Sequence, residues 1–303
     1  MRVRKFAAID IGSNAVRLLI SNVLETDNKP PTFSKSSLVR VPIRLGTDVF
    51  LNGKVSDENS DRLLESMQAF KILMKVHKVE DYRACATSAM REAKNGADLA
   101  KTIKKKTGVN IEIIDGSDEA AIIAATDLKT LIEGDKNYLY VDVGGGSTEF
   151  TVYAQGETVA SKSFKIGTVR LLNETVSHDT WIEVENWIKE HTKGFEDVAL
   201  IGSGGNINKI FKISGKKEGA ALTYSYISSY YQFLMSFSYE ERISVLGLNQ
   251  DRADVIIPAA RIYMNAMKWS RAKKIYVPKI GLSDGIVKSL YYSQEEQTAS
   301  ENK

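Results

Sequence analysis

Short apolar runs open this chain and read as strands. Residues 6–11 are apolar and end at Gly12, residues 15–23 follow, and residues 36–45 form a third candidate. Residues 25–35 contain Pro30 and Pro31 and are expected to be a turn or loop. The period then lengthens. Ser56 is placed to cap a long helix in which Leu63, Met67, Phe70 and Met74 recur every three or four residues, with Asp61, Glu65 and Lys71 between them. Residues 82–86 read as a short strand. Residues 98–106 read as a helix with a solvated lysine end at 104–106, stopped by Gly108, and residues 109–114 as another strand. A helix is expected to start at Ser117, carry Asp118 and Glu119 in its first turn, run to about Ile132 and break at Gly134 and Asp135.

The pattern then begins again. Residues 138–143 read as a strand, 144–146 as a tight turn, and 147–153 and 158–165 as further strands. Helix covers roughly 179–193. Residues 198–202 form a strand leading into Gly204-Gly205 and a helix, and the remainder is mostly helical, with one strand near 274–277 and a polar tail from Ser293 that is expected to fray. Ala8-Ile9-Asp10-Ile11-Gly12 and Tyr140-Val141-Asp142-Val143-Gly144 are two versions of one phrase, with aspartates 10 and 142 standing 132 residues apart. That distance is about one small domain. Two domains of one design would set two equivalent turns opposite each other; two hairpins alike by chance are the alternative.

The 303 residues are 43% hydrophobic and 26% charged, an ordinary globular composition, and the net charge of +3 demands no nucleic-acid partner. A polyanion would have to be held by a local cluster of cations and backbone N–H groups. The one cysteine, Cys85, excludes an internal disulfide and fits a core position better than a reactive thiol. His77, His178 and His191 are scattered singly, without metal-ligand spacing. No apolar run reaches membrane-spanning length and the start is not a signal peptide, so the expectation is no membrane partner and a reducing, cytoplasmic home.

Chemistry concentrates at five places. Asp142 to Glu149 is the strongest: Gly144, Gly145 and Gly146 let the backbone approach a ligand, and consecutive N–H groups with the Ser147 and Thr148 hydroxyls can cradle phosphate oxygens. Asp142 and Glu149 would repel bare phosphate and make sense holding a divalent cation or orienting water. Asp10-Ile11-Gly12-Ser13-Asn14 is the partner turn, with Arg17 just beyond. Thr87-Ser88-Ala89-Met90-Arg91 suits phosphate recognition or, equally, a helix cap followed by a surface arginine. Glu119 is either a favourable first-turn charge or, with no histidine well placed, a general base. Gly204-Gly205, after a strand and before a helix, is compatible with phosphate or with tight packing alone.

These residues resemble the exopolyphosphatase / guanosine pentaphosphate phosphohydrolase (Ppx/GppA) family. The likeness runs nearly end to end and in order: AIDIGSNAVRLLI at 8–20, IRLGTDV at 43–49, ATSAMREAKNG at 86–96, IEIIDGSDEA at 111–120, VDVGGGSTEF at 141–150, GSGGN at 202–206, and DRADVIIPAARIY to GLSDGIV. The resemblance implies an α/β fold of two duplicated ribonuclease H-like domains, as in actin, sugar kinases and heat-shock ATPases, with mixed sheets flanked by helices and an interdomain cleft. The expected domains are 1–125 and 126–303, the last helix packing back on the first. The implied activity is metal-dependent release of terminal phosphate from polyphosphate or of the 5′ phosphate from guanosine pentaphosphate, with Mg2+ or another divalent cation. By position Glu119 matches the catalytic glutamate; Ser13, Asn14, Arg91 and residues 144–148 match phosphate contacts; Asp142 and Glu149 match acids near metal and attacking water. Asp10 joins Asp142 as a candidate metal ligand, and Arg17, Gly204 and Gly205 join the candidate phosphate contacts. The chain departs from the family in having Ala121 where an arginine is common and Ala15 where a serine is frequent. Extra C-terminal domains of longer members have no counterpart here, which bears on processivity. The family allows a homodimer. A non-catalytic polyphosphate or alarmone sensor and an ATP-dependent kinase of the same fold are the rival readings.

Overall fold

The structure is a computed structural model that describes residues 1–124, 126, 132 and 136–301. The chain divides into two compact units, Met1–Thr126 with Leu282–Lys303, and Asp127–Gly281. No described helix is long and apolar enough to cross a membrane.

Unit 1 is built on β1 (Arg2–Ile11), β2 (Val16–Thr26), β3 (Lys29–Val41), β4 (Asp81–Ala86) and β5 (Ile111–Ile113), in the order β3-β2-β1-β4-β5. The first three run antiparallel, and β4 and β5 run parallel to β1. Between the strands lie α1 (Leu45–Asn52), α2 (Asp57–Val76), α3 (Ser88–Glu92), α4 (Gly96–Thr107) and, after β5, α5 (Gly116–Ala124). β1 is central, and from Phe6 to Ile11 every residue is buried, as a strand covered on both faces requires. Ala7, Ile9 and Ile11 join one apolar cluster with Leu63, Met67, Phe70 and Met74 of α2. Ser56 caps α2 as expected, its side chain accepting from the Asn59 N–H.

Three expectations change in this unit. Pro30 and Pro31 lie inside β3 rather than in a loop; β3 is the sheet edge, where a missing N–H breaks no central ladder, and the register shifts beside them between Leu24 and Thr26. The reversal needs only Asp27 and Asn28, the latter with φ 61°. Leu45 opens α1 instead of closing a strand. The helix expected from Ser117 begins at Gly116, because the Asp115 carboxylate accepts from the Ser117 and Asp118 N–H groups and from the Ser117 hydroxyl. The expected run on to Ile132 falls largely, and the break at Gly134 and Asp135 wholly, outside the described residues.

Unit 2 repeats the plan. Its strands are β6 (Tyr138–Val143), β7 (Thr148–Ala154), β8 (Glu157–Phe164), β9 (Ala199–Ser203), β10 (Leu222–Thr223) and β11 (Lys274–Tyr276). The sheet order is β10-β11-β9-β6-β7-β8, with β6 to β8 antiparallel and β9 and β11 parallel to β6. Read from β8, this is the order of unit 1 with β10 added at the far edge. The described helices are α6 (Thr168–Leu172), α7 (His178–Thr192), α8 (Gly205–Ile213), α9 (Tyr224–Met235), α10 (Tyr239–Ser244), α11 (Gln250–Ala253) and α12 (Ile256–Trp269). A separate core forms here, with Phe150, Phe164, Trp187 and Tyr263 among its large side chains. Two mixed sheets of one topology, each flanked by helices, are the duplicated ribonuclease H-like design.

The last helix, α13 (Leu282–Glu301), packs on β1, β2, β4 and α5 of unit 1. Tyr291 meets Phe6 and Phe33 edge-on, at 5.8 and 5.6 Å between centroids. Phe6 lies one step out of phase with Ala7 and Ile9, so it faces away from the α2 cluster. The tail from Ser293, expected to fray, is helix instead. Arg4 donates to Gln294 and Glu295, and Gln294 donates to Asp81, which ties it to β1 and β4.

Candidate active site

In unit 1 three chain segments leave the sheet side by side. Ile11, Ala86 and Ile113 are register partners at the ends of the parallel strands β1, β4 and β5, so the turn at 12–15, the start of α3 and the start of α5 emerge together. In parallel sheets ligands bind beyond the carboxyl ends of strands. The Thr87 N–H donates to the Ile11 carbonyl and the Ile114 N–H to the Ala86 carbonyl, locking the three exits. Ser13 and Ser88 share a hydrogen bond of 2.9 Å between hydroxyls. Arg91 donates to the Ile114 carbonyl at 2.6 Å, which sets its guanidinium beside the chain entering α5. Glu119 follows in the first turn of α5. Asp115 is exposed, and the Ser117 hydroxyl and the Asp118 N–H hold its carboxylate below the usual range.

Asp10 is the last but one residue of β1 and stands opposite Arg17 of β2, at 3.3 Å between the charged groups. Burial pushes the Asp10 carboxyl up, and Arg17 pulls it partly back. Arg17 Nη1 is the donor to Asp10 Oδ2, and the Arg17 side chain stays partly exposed.

In unit 2 the same positions recur with different chemistry. Asp142 is the last but one residue of β6, but the residue opposite is Glu149. Glu149 is buried, and its Oε1 accepts from the hydroxyls of Ser147 at 2.7 Å and Ser163 at 2.8 Å. The Thr148 hydroxyl points inward and donates to the Ile166 carbonyl. The turns match in detail: the Gly12 N–H reaches the Ala15 carbonyl at 3.2 Å, and the Gly144 N–H reaches the Ser147 carbonyl at 3.0 Å.

Three carbonyls of the unit 2 turn are held from one side. Gly144 O accepts from the Thr168 N–H at 3.0 Å, Gly145 O from the Val169 N–H at 2.8 Å, and Gly146 O from Arg170 Nε at 2.6 Å. A trans peptide is planar, with its C=O and N–H opposed. Fixing these carbonyls toward α6 therefore aims the N–H groups of Gly145, Gly146 and Ser147 to the other side, an anion-binding concavity. In unit 1 the Ser13 carbonyl is held this way by the Gly46 N–H and the Asn14 carbonyl by the Arg44 N–H.

β9 completes the unit 2 site. Ser203 is the register partner of Asp142, and the chain turns at Gly204 with φ 116°. A Cβ at Gly204 would lie 2.9 Å from the Val143 carbonyl oxygen and 3.5 Å from Asp142 Oδ1. Glycine is thus required, and its backbone passes next to the Asp142 carboxylate. Tyr263 donates to the Ser203 carbonyl from below. Burial, then the Asp142 charge, push the Tyr140 and Tyr263 phenols well above their usual range, so both remain neutral.

Sequence reasoning missed the bracing residues. Gly167 precedes α6, and a Cβ there would fall 2.4 Å from the Gly145 carbonyl oxygen. Arg170 is buried beneath the turn, and Gly46 plays the corresponding part in unit 1. The available signal was the run Ile166-Gly167-Thr168, an echo of Leu45-Gly46-Thr47 at the same place after a third strand.

Among the described residues, no three or more His, Cys, Asp or Glu side chains are grouped to hold a metal ion. Mg2+ does not need such a cage, since it keeps several waters and takes one or two carboxylates together with substrate phosphates. Asp10 in unit 1 and Asp142 in unit 2 have the oxygen chemistry for that kind of site.

A family model described as the Ppx/GppA phosphatase family matches residues 33–294. The chain belongs to that family. It is 31% identical over 278 residues to a bifunctional 3-dehydroquinate synthase/phosphatase of Fusobacterium nucleatum, a match that covers 83% of this chain and 41% of that protein. Exopolyphosphatase 1 of Mycobacterium tuberculosis is 23% identical over 320 residues, covering 97% of this chain and 90% of the relative. Among solved structures, an exopolyphosphatase from Cytophaga hutchinsonii superimposes with a TM-score of 0.81 at 23% identity, covering 96% of this chain and 98% of that one. The fold is therefore that of Ppx/GppA proteins.

Proposed function

We propose that this Ppx/GppA family member is an exopolyphosphatase, which cuts the terminal phosphoanhydride bond of inorganic polyphosphate. The observation that carries the reading is the set of three successive N–H groups, Gly145 to Ser147, aimed one way by carbonyls tied to α6. Such donors suit the oxygens of a terminal phosphoryl group, and they need no reorganisation as charge develops. Full-length relatives named exopolyphosphatase point to the same substrate.

In this reading Glu119 takes a proton from water as the water oxygen bonds to the terminal phosphorus. The bridging P–O bond breaks, giving orthophosphate and a chain one unit shorter. Within unit 1, Arg91 contributes positive charge and the Ser13–Asn14 turn contributes donors. Within unit 2, Gly204 and Gly205 offer backbone N–H groups, and Glu149, held by two serines, keeps water oriented. A divalent cation, when bound by Asp10 or Asp142, would neutralise phosphate charge. The 5′ end of guanosine pentaphosphate presents the same kind of bond and is the second substrate proposed.

The test is phosphate release with Mg2+ from medium-chain polyphosphate, guanosine pentaphosphate and ATP, each repeated with excess chelator. Release from polyphosphate that the chelator abolishes supports the proposal. Tight polyphosphate binding with no release would make the chain a sensor, and turnover confined to ATP would make it a kinase or ATPase.

A further inference from the structure

Glu119 rides on α5, a helix of nine residues that is too short to hold its own position. The principal element packed on it is α13. The contact is unusually close at one point. A Cβ on Gly285 would fall 2.2 Å from the Ile122 carbonyl oxygen and 2.8 Å from both Ile122 C and Cγ2. Ile122 is three residues after Glu119, on the same side of α5. The backbone of α13 is therefore a hard stop for the turn of helix that carries the glutamate.

That stop is firmly seated. Ile286 and Val287, next to Gly285, are fully buried. Asp284 pairs with Lys35 of β3 at 2.9 Å, and Tyr291 is wedged against Phe6 and Phe33. Farther on, Gln294 and Glu295 hold Arg4. Alanine is the better helix former, so glycine at 285 is not explained by propensity. Its contribution is the missing Cβ.

We propose that Gly285 is a positioning residue for hydrolysis: by letting α13 touch α5 backbone to backbone at Ile122, it sets Glu119 at its working distance from the attacked phosphorus. The proposal rests on Glu119 being the base.

The test measures kcat and KM for phosphate release from medium-chain polyphosphate, well below each variant's melting temperature. Gly285→Ala should stay folded, lose about tenfold or more in kcat and keep KM within about twofold, since misplacing a catalytic group costs turnover rather than binding. Arg4→Gln loosens the same helix at its far end and should lower the melting temperature while leaving kcat within about twofold. Glu119→Gln, run alongside, separates the two readings. If it is inactive while Gly285→Ala keeps wild-type kcat, the positioning proposal falls and the base assignment stands. If Glu119→Gln turns over normally, both fall. An equal loss of kcat in Arg4→Gln, or a rise in KM without a fall in kcat in Gly285→Ala, would also overturn the proposal. Should Gly285→Ala fail to fold, Ile122→Ala thins the same contact: a fall of about threefold in kcat at constant KM supports the proposal, and an unchanged kcat refutes it.

Discussion

The turns at Asp10 and Asp142 share a register, a hydrogen bond and a bracing helix, yet they are charged differently. Asp10 faces Arg17, so unit 1 offers a nearly neutral pair. Asp142 faces Glu149, so unit 2 places two carboxylates on neighbouring strands and answers one of them with serine hydroxyls. Unit 2 also fixes three successive N–H groups, one of them through the buried side chain of Arg170, whereas the unit 1 turn is held by the backbone N–H groups of Arg44 and Gly46. One backbone plan has thus been given two tasks. In the proposed function the unit 2 turn grips phosphate and a cation, whereas unit 1 keeps its turn balanced and would bring in chemistry from the next two strand ends, Arg91 and Glu119.

The largest effect should come from removing that chemistry. Glu119→Gln is expected to cut polyphosphate turnover by about 100- to 10,000-fold, read as phosphate release. Next comes the brace of the unit 2 turn. In Gly167→Ala the added Cβ meets the Gly145 backbone at 2.4 Å, which can yield only by moving the phosphate turn. A loss of about 100-fold in kcat/KM should follow. The corresponding change in unit 1, Gly46→Ala, meets a Phe50 ring carbon at 2.7 Å and Ser13 Cβ at 2.9 Å. The ring can rotate away, but Ser13 Cβ and the Ser13 carbonyl oxygen, 3.1 Å from the added Cβ, must shift with the turn, so a smaller loss of about tenfold is expected in the same assay. Equal losses in the two glycine variants would erase the distinction between the turns.

The smallest effect concerns the residues beside the two aspartates, Cys85 in unit 1 and Ser203 in unit 2. Ser203 has a partner for its hydroxyl, the Ile280 carbonyl at 2.9 Å, whereas Cys85 sits in the core. Cys85→Ser should leave turnover unchanged and cost about 1–3 kcal/mol in thermal or urea unfolding, for a buried hydroxyl short of a partner. Burial pushes the Cys85 thiol up to about 12. The folded protein should therefore resist alkylation at neutral pH and the unfolded chain should not.

Much of this was legible in the residues. The Asp-x-Gly repeat pointed to duplication, and the two sheets have one strand order. The 3.6-residue stripe of Leu63, Met67, Phe70 and Met74 located α2, with Ser56 at its start. What was not legible depended on neighbours distant in sequence. Pro30 and Pro31 looked like a loop because nothing local shows that β3 lies at a sheet edge. Residues 293–296 looked solvent-bound because Arg4 and Asp81, which engage Gln294 and Glu295, are some 200 to 290 positions away. Gly167 and Arg170 carry no motif; their importance comes from carbonyls they meet across a turn.

The division of tasks between the turns is tested most directly by equilibrium binding of medium-chain polyphosphate to Glu119→Gln and Gly167→Ala. If unit 2 grips the phosphate and Glu119 acts on water, Glu119→Gln will bind at least as tightly as the wild type, while Gly167→Ala will bind about tenfold or more weakly. Weakened binding in Glu119→Gln with wild-type affinity in Gly167→Ala would contradict the account.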